Sequence, residues 1–188
     1  MGSNLIRELI IILLVSVLLY AGIDATMQNS VVKGTSMTPN LVDGERVIIS
    51  KLAYKFGKTP ARGDVVVFTP PASMASEDDF IKRIIGLPGE VVEIKNGGVI
   101  IHSPDGTSVL LDESGYVVDP PKYNFKSDII PAGHYLVLGD NRNHSNDSHG
   151  GWTVPLEEIL GKAWVVIWPP ARWGGAPNYK FMALADLP

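Results

Sequence analysis

FIKRIIGLPGE, Phe80 to Glu90, is the stretch whose reading decides how this chain folds. As a strand it puts Phe80, Lys82 and Ile84 on one face and Ile81, Arg83 and Ile85 on the other. Each face is apolar apart from one cation, the pattern of a strand buried on both sides. Outward from it, short β-branched runs alternate with Gly, Pro, Asn and Asp punctuation. That spacing predicts strands at Ser30–Lys33, Glu45–Ser50, Asp64–Phe68, Ile81–Gly86, Val91–Lys95, Val99–His102, Thr107–Leu111, His134–Leu138 and Lys162–Trp168. Asn96-Gly97-Gly98 predicts a hairpin and Asp105-Gly106 a second turn. Pro155, followed by Leu156 to Leu160 and then Gly161, predicts one short helix. The expectation is a mainly β protein, with a compact core built from 24–94 and 131–188 and a smaller β extension inserted at 95–130. The tail after Pro169, rich in Gly, Pro and Trp, reads as loosely packed.

The amino-terminal segment obeys a different rule. Leu9 to Ile23 carries no charge, and at about 1.5 Å per residue it reaches roughly 22 Å. Starting near Leu5 extends it to about 28 Å, close to the ~30 Å hydrocarbon layer, with Arg7 and Glu8 reaching headgroups. We read residues 9–23 as a single membrane-spanning anchor behind a short cytoplasmic 1–8. A cleaved secretory signal and a buried core helix are the alternatives. The charges flanking this segment barely decide its orientation.

With 188 residues the chain supports one domain with an elaboration plus an anchor. Its 45% hydrophobic and 19% charged content excludes disorder. A net charge of −4 and a pI near 5.5 give no reason to expect a nucleic-acid partner. No cysteine is present, which excludes disulfides and thiolate metal sites. His102, His134, His144 and His149 show no zinc spacing, and no metal or cofactor is expected.

Two residue types point to chemistry. An ordinary lysine near pKa 10.4 is a free amine in only about one molecule in 2,500 at pH 7, but burial lowers it by up to ~3–5 units. Lys82, among Phe80, Ile81, Ile84 and Ile85, is the candidate for such a base; the plain alternative is a lysine snorkelling to water. Ser36, within Val31–Leu41 (VVKGTSMTPNL), is the candidate acidic proton and nucleophile, because a hydroxyl needs a base. Gly34 lets a bound chain approach, Pro39 restricts the turn, and Met37 and Leu41 are candidates to line an apolar cleft.

These boxes, together with LGDNRNHSNDSHGGW at Leu138 to Trp152, resemble bacterial type I signal peptidase, a membrane-bound Ser/Lys endopeptidase of exported preproteins. The resemblance runs over nearly the whole chain. It implies Ser36 as nucleophile, Lys82 as general base and Ser145 as the hydroxyl orienting the amine. Arg83 would pair with Asp140, and Asp147 and Ser148 would support the same loop. Val32, Met37, Leu41, Phe80 and Ile81 would wall small pockets beside Gly34. It also implies no cofactor, an acyl-enzyme, and substrates carrying signal peptides with small residues at the first and third positions before the cut. The anchor would sit in the bacterial cytoplasmic membrane, amino terminus inside and catalytic domain outside, near the translocation machinery.

The chain departs from that pattern at three places. His149 stands where the family usually has arginine, so an Asp147–His149 pair would lose charge as pH rises through about 6–7. Gly34 stands where some members carry a serine oxyanion donor, leaving backbone N–H groups, chiefly that of Ser36. Asn40 replaces a threonine and is expected to serve as a turn residue. Trp164 and Trp168 read equally as core or as membrane interface, and Trp173 as interface. Two rival readings remain: a repressor-type Ser/Lys autoprotease, and a membrane-tethered β-domain that binds extended peptides without cutting them.

Overall fold

A computed structural model of the chain describes residues 2–74, 76 and 78–181; the expected loose tail lies partly outside them. The first element, α1, runs Gly2–Thr26, longer at both ends than the expected 9–23. Its apolar part, Leu5–Thr26, spans 22 residues, or about 33 Å, enough to cross a bilayer. None of that window is buried, which removes the core-helix reading.

Among the described residues twelve strands follow: β1 Met27–Val31, β2 Arg46–Ser50, β3 Val65–Phe68, β4 Phe80–Gly86, β5 Val91–Lys95, β6 Gly98–His102, β7 Ser108–Leu110, β8 Phe125–Lys126, β9 His134–Leu138, β10 Val154–Pro155, β11 Ile159–Trp168 and β12 Gly174–Gly175. They form two antiparallel sheets. The larger has the order β1-β2-β11-β3-β4-β9-β10, with β12 beside β11, and the smaller runs β7-β6-β5-β8. β4 is interior and buried on both faces, as its double apolar pattern requires. The smaller sheet starts at Val91, ahead of the boundary expected at residue 95. Asn96 and Gly97, with φ 53° and 79°, make the two-residue turn joining β5 to β6.

One expectation fails for a packing reason, and one open choice is decided. The short helix expected at 156–160 is one 3₁₀ turn, Leu156–Glu158. Ile159 and Leu160 belong instead to β11, where Ile159 pairs with Phe68, because sheet pairing outweighs an isolated helical turn. Trp164 and Trp168 are not core residues: they are 54% and 53% exposed on β11. Strand β1 starts at Met27 directly after α1, so the sheet hangs from the helix with no linker.

The apolar interior falls into clusters on either side of β4. Val32, Met37, Leu41, Val65, Val67 and Ile81 pack in one, while Ile84, Phe68 and Val137 pack in another. A third joins Ile85 and Leu138 of the larger sheet to Val92, Ile94, Val99 and Ile101 of the smaller one. β4 therefore holds Lys82 and Arg83 inside the packed protein.

Candidate active site

Lys82 is 5% exposed, and its Nζ lies 2.7 Å from Ser36 Oγ. It also donates to the Ile81 carbonyl at 3.0 Å. Strand β4 fixes the lysine stem, since Lys82 pairs with Val66 of β3 in register. Burial pulls the ammonium down to about 8, although Asp147 and Asp140 push the other way. Roughly a tenth of the molecules then carry the free amine at pH 7. Such an amine can accept the proton of a hydroxyl at this distance.

Ser36 is held through its backbone. Its carbonyl accepts from Asn141 N at 2.9 Å, and Thr35 O accepts from Asn141 Nδ2 at 3.1 Å. Gly34 has φ +80°, a left-handed conformation that glycine tolerates, and its N–H donates to Asp43 Oδ1 at 2.7 Å. The Ser36 N–H has no acceptor among the described residues.

The polar loop packs behind the pair. Arg83, fully buried, donates from Nε and Nη2 to the two oxygens of Asp140 at 2.8 and 2.7 Å. Asp147 accepts from Gly139 N at 2.9 Å through Oδ2, and its Oδ1 lies 2.7 Å from His149 Nδ1. That contact raises His149 above its ordinary 6.5, so the charge loss expected at pH 6–7 moves upward. Ser148 Oγ accepts from Val137 N at 3.0 Å, tying the loop to β9.

Some expected placements differ. Ser145 Oγ is buried with no hydrogen-bond partner among the described residues, so it is not bonded to the Lys82 amine in this arrangement. Gly139 brings that hydroxyl close to Ser36: a Cβ on Gly139 would lie 2.3 Å from Ser145 Oγ and 2.5 Å from Ser36 O. The cleft at Ser36 has a volume of about 260 Å³, and Gly34, Phe80, Ile81 and Lys82 line it as expected. Val32, Met37 and Leu41 do not; they are 3%, 0% and 0% exposed and lie in the core cluster that includes Ile81 and Val67. Apolarity at these positions goes into packing, and the apolar residues that line the cleft are Val31, Val67, Phe80 and Ile81.

Residue types alone missed several parts of the site. Lys33 and Asp78 form an ion pair at the cleft, which His144 and Asn146 also line. Asn40, read as a plain turn residue, donates to Asp140 Oδ2 at 2.8 Å and to Tyr116 O at 2.7 Å. The only signal for these in the sequence is their nearness to the SMTPNL, FIKRIIG and GDNRNHSNDS boxes.

Residues 4–168 match the family model described as signal peptidase, peptidase S26. The chain belongs to that family. A probable signal peptidase I-2 of Synechocystis is 42% identical over 146 residues, covering 76% of this chain and 64% of the relative. A signal peptidase I of Leptolyngbya laminosa is 42% identical over 144 residues, covering 74% and 68%. The chain thus spans somewhat under two thirds of the first relative's length. A solved signal peptidase I of Enterococcus faecalis aligns at 30% identity over 56% of this chain and 97% of its own, with a TM-score of 0.45. The peptidase S26 match takes in Ser36, Lys82 and the whole loop from Gly139 to His149, and stops at the end of β11.

Proposed function

We propose that this protein is a membrane-anchored serine endopeptidase that removes signal peptides from exported preproteins, with Ser36 as nucleophile and Lys82 as general base. The observation that carries the reading is the buried Lys82 amine 2.7 Å from Ser36 Oγ. Neutral Lys82 takes the Oγ proton as oxygen attacks the scissile carbonyl. The free Ser36 N–H is the chief donor to the oxyanion, a contribution often worth a few kcal/mol. Lys82 then protonates the leaving amine, and a water that it deprotonates releases the acyl group. The cleavable chain lies extended beside β1 and β4, with main-chain hydrogen bonds for affinity and alanine-sized residues at the first and third positions before the cut.

The supporting roles follow the contacts. Arg83 with Asp140 and Asp147 with Ser148 hold the loop, and the unpartnered Ser145 hydroxyl is the group that orients the amine. Phe80, Ile81 and Gly34 contact substrate, with Val32, Met37 and Leu41 shaping the cleft from the core. Residues 27–90 and 131–181 form the catalytic body, and 91–130 an inserted extension. α1 spans the bacterial cytoplasmic membrane with its amino terminus inside, and the catalytic body acts outside, near the translocation machinery. The exposed Trp164, Trp168 and Trp173 suit the interfacial layer.

The test is cleavage of a signal-peptide-bearing precursor by the full chain in detergent. Ser36→Ala and Lys82→Met are expected to abolish it. Lys82→Met should also melt higher than the parent, because holding a lysine near pKa 8 costs about 3 kcal/mol below that pH. Cleavage that survives either substitution in a folded protein rules the dyad out.

A further inference from the structure

From Arg46 to Arg62 the chain carries Arg46, Lys51, Lys55, Lys58 and Arg62 and no carboxylate, although its net charge is −4. Arg62 is taken by Glu90. Lys55 and Lys58 are exposed and form no ion pair among the described residues. Between them the chain makes a tight turn, closed by Lys58 N donating to Lys55 O at 3.2 Å. Phe56 and Gly57 sit at its centre with φ 57° and 79°. The β5–β6 hairpin makes the same turn with Asn96-Gly97, the expected residues. A phenylalanine in the left-handed region is locally disfavoured. Its ring is also 90% exposed, so the core does not require it either. Leu52 nearby is 41% exposed.

The root of this loop is fixed at the end of α1. Lys51 N donates to Thr26 O at 2.9 Å, and Lys51 Nζ to Asp24 O at 2.9 Å. Tyr54 Oη donates to Asp64 Oδ2 at 2.9 Å. A cleft of about 590 Å³ lined by Tyr20, Ile23, Lys51 and Trp164 lies at the same junction. With α1 crossing the bilayer, the junction lies at headgroup depth.

We propose that the 51–58 loop is a membrane-docking finger, in which Phe56 enters the bilayer surface and Lys55 and Lys58 bind anionic phospholipid headgroups beside the exit of α1. An aromatic tip between cations matches a negatively charged lipid surface in both shape and sign. The inference rests on α1 spanning the bilayer. A second tether would set the tilt of the β body, and with it the height of the Ser36 cleft above the membrane.

The chain has no cysteine, so single labels can be placed cleanly. Full-length Ser16→Cys, Phe56→Cys and Val118→Cys chains are spin-labelled and reconstituted into phosphatidylcholine vesicles with or without phosphatidylglycerol. Ser16 reports the anchor, and Val118, 76% exposed, is the aqueous control. The expected result is a severalfold higher ratio of oxygen to nickel-chelate collisions at 56 than at 118 when phosphatidylglycerol is present. Adding Lys55→Gln and Lys58→Gln should bring the ratio at 56 back towards that at 118. A Phe56→Trp chain, read as quenching by brominated phosphatidylglycerol in excess of that of the parent chain's four tryptophans, repeats the measurement with an aromatic side chain in place. A label at 56 as wet as the one at 118, with Ser16 immersed, overturns the finger and leaves the anchor standing. Immersion at 56 that ignores phosphatidylglycerol and the lysines overturns the assignment to anionic lipid, and a polar Ser16 label removes the anchor itself.

Discussion

His149 shows how one side chain can alter the chemistry of a buried lysine it does not touch. Its ring stacks on Tyr123 at 4.6 Å and contacts Asp147, whose charge raises Lys82. The other charged groups in this region are Asp140, paired with Arg83, and Glu113, paired with Arg142. Protonated His149 offsets Asp147, so Lys82 gives up its proton more readily; neutral His149 leaves Asp147 uncompensated. His149→Arg keeps the positive charge at every pH. Its acid limb of kcat/KM should therefore shift to lower pH, with cleavage at pH 7 to 8 raised roughly two- to threefold. An unshifted limb means that Asp147 and Lys82 are not coupled. The sign for stability is opposite to that of a carboxylate. A raised histidine stabilises fully below its unfolded value of 6.5, and the gain is lost as pH rises through the higher folded value. The arginine variant should keep it, read as a melting temperature that no longer falls over that window.

At the level of elements, β4 and the loop from Gly139 to His149 form one device. β4 brings Lys82 and Arg83 in from opposite faces; the loop receives Arg83 through Asp140, and the charge of Asp147 acts on Lys82 without a contact. Gly139 is the crossing point, where no Cβ fits between Ser145 Oγ and Ser36 O. Gly139→Ala must push these groups apart by about an ångström, and misplacement of that size costs on the order of 100-fold in rate. We expect kcat to fall by about that factor with KM changed less, because the push falls on Ser36 and Ser145 and not on Gly34, Phe80 or Ile81. A fall in KM alone, or no effect, would show that the loop has slack. Strand β4 was legible from FIKRIIG because both its faces are apolar. β11 was legible only from Lys162 onward, since Leu156 to Leu160 has a helix-like pattern that pairing with β3 overrides.

Across the whole molecule, the smaller sheet is wired to the site. Arg142, 1% exposed, donates to Gly139 O at 2.9 Å and to both oxygens of Glu113 at 2.7 and 2.6 Å. Glu113 lies between β7 and β8, so the extension neutralises a cation buried behind the nucleophile. Glu113→Gln leaves that cation without its counter-charge. The expected cost is about 3 kcal/mol in unfolding free energy, with a matching loss of cleavage. Full stability in this variant would make the extension a passive cover.

The chain's order of residues was enough to determine its mainly β character, the apolar amino-terminal helix, the candidacy of Ser36 and Lys82 and the Arg83–Asp140 pairing. The first three depend on local periodicity or on a short contiguous box, and the Arg83–Asp140 pairing, between residues far apart in the chain, was available only from the resemblance. The partners of Asn40, the place of Gly139, the burial of Met37 and Leu41 beneath the cleft and the exposure of Trp164 and Trp168 were decided only in three dimensions. Those are contacts between segments tens of residues apart, and whether an apolar side chain faces core or cleft depends on which strand packs over it.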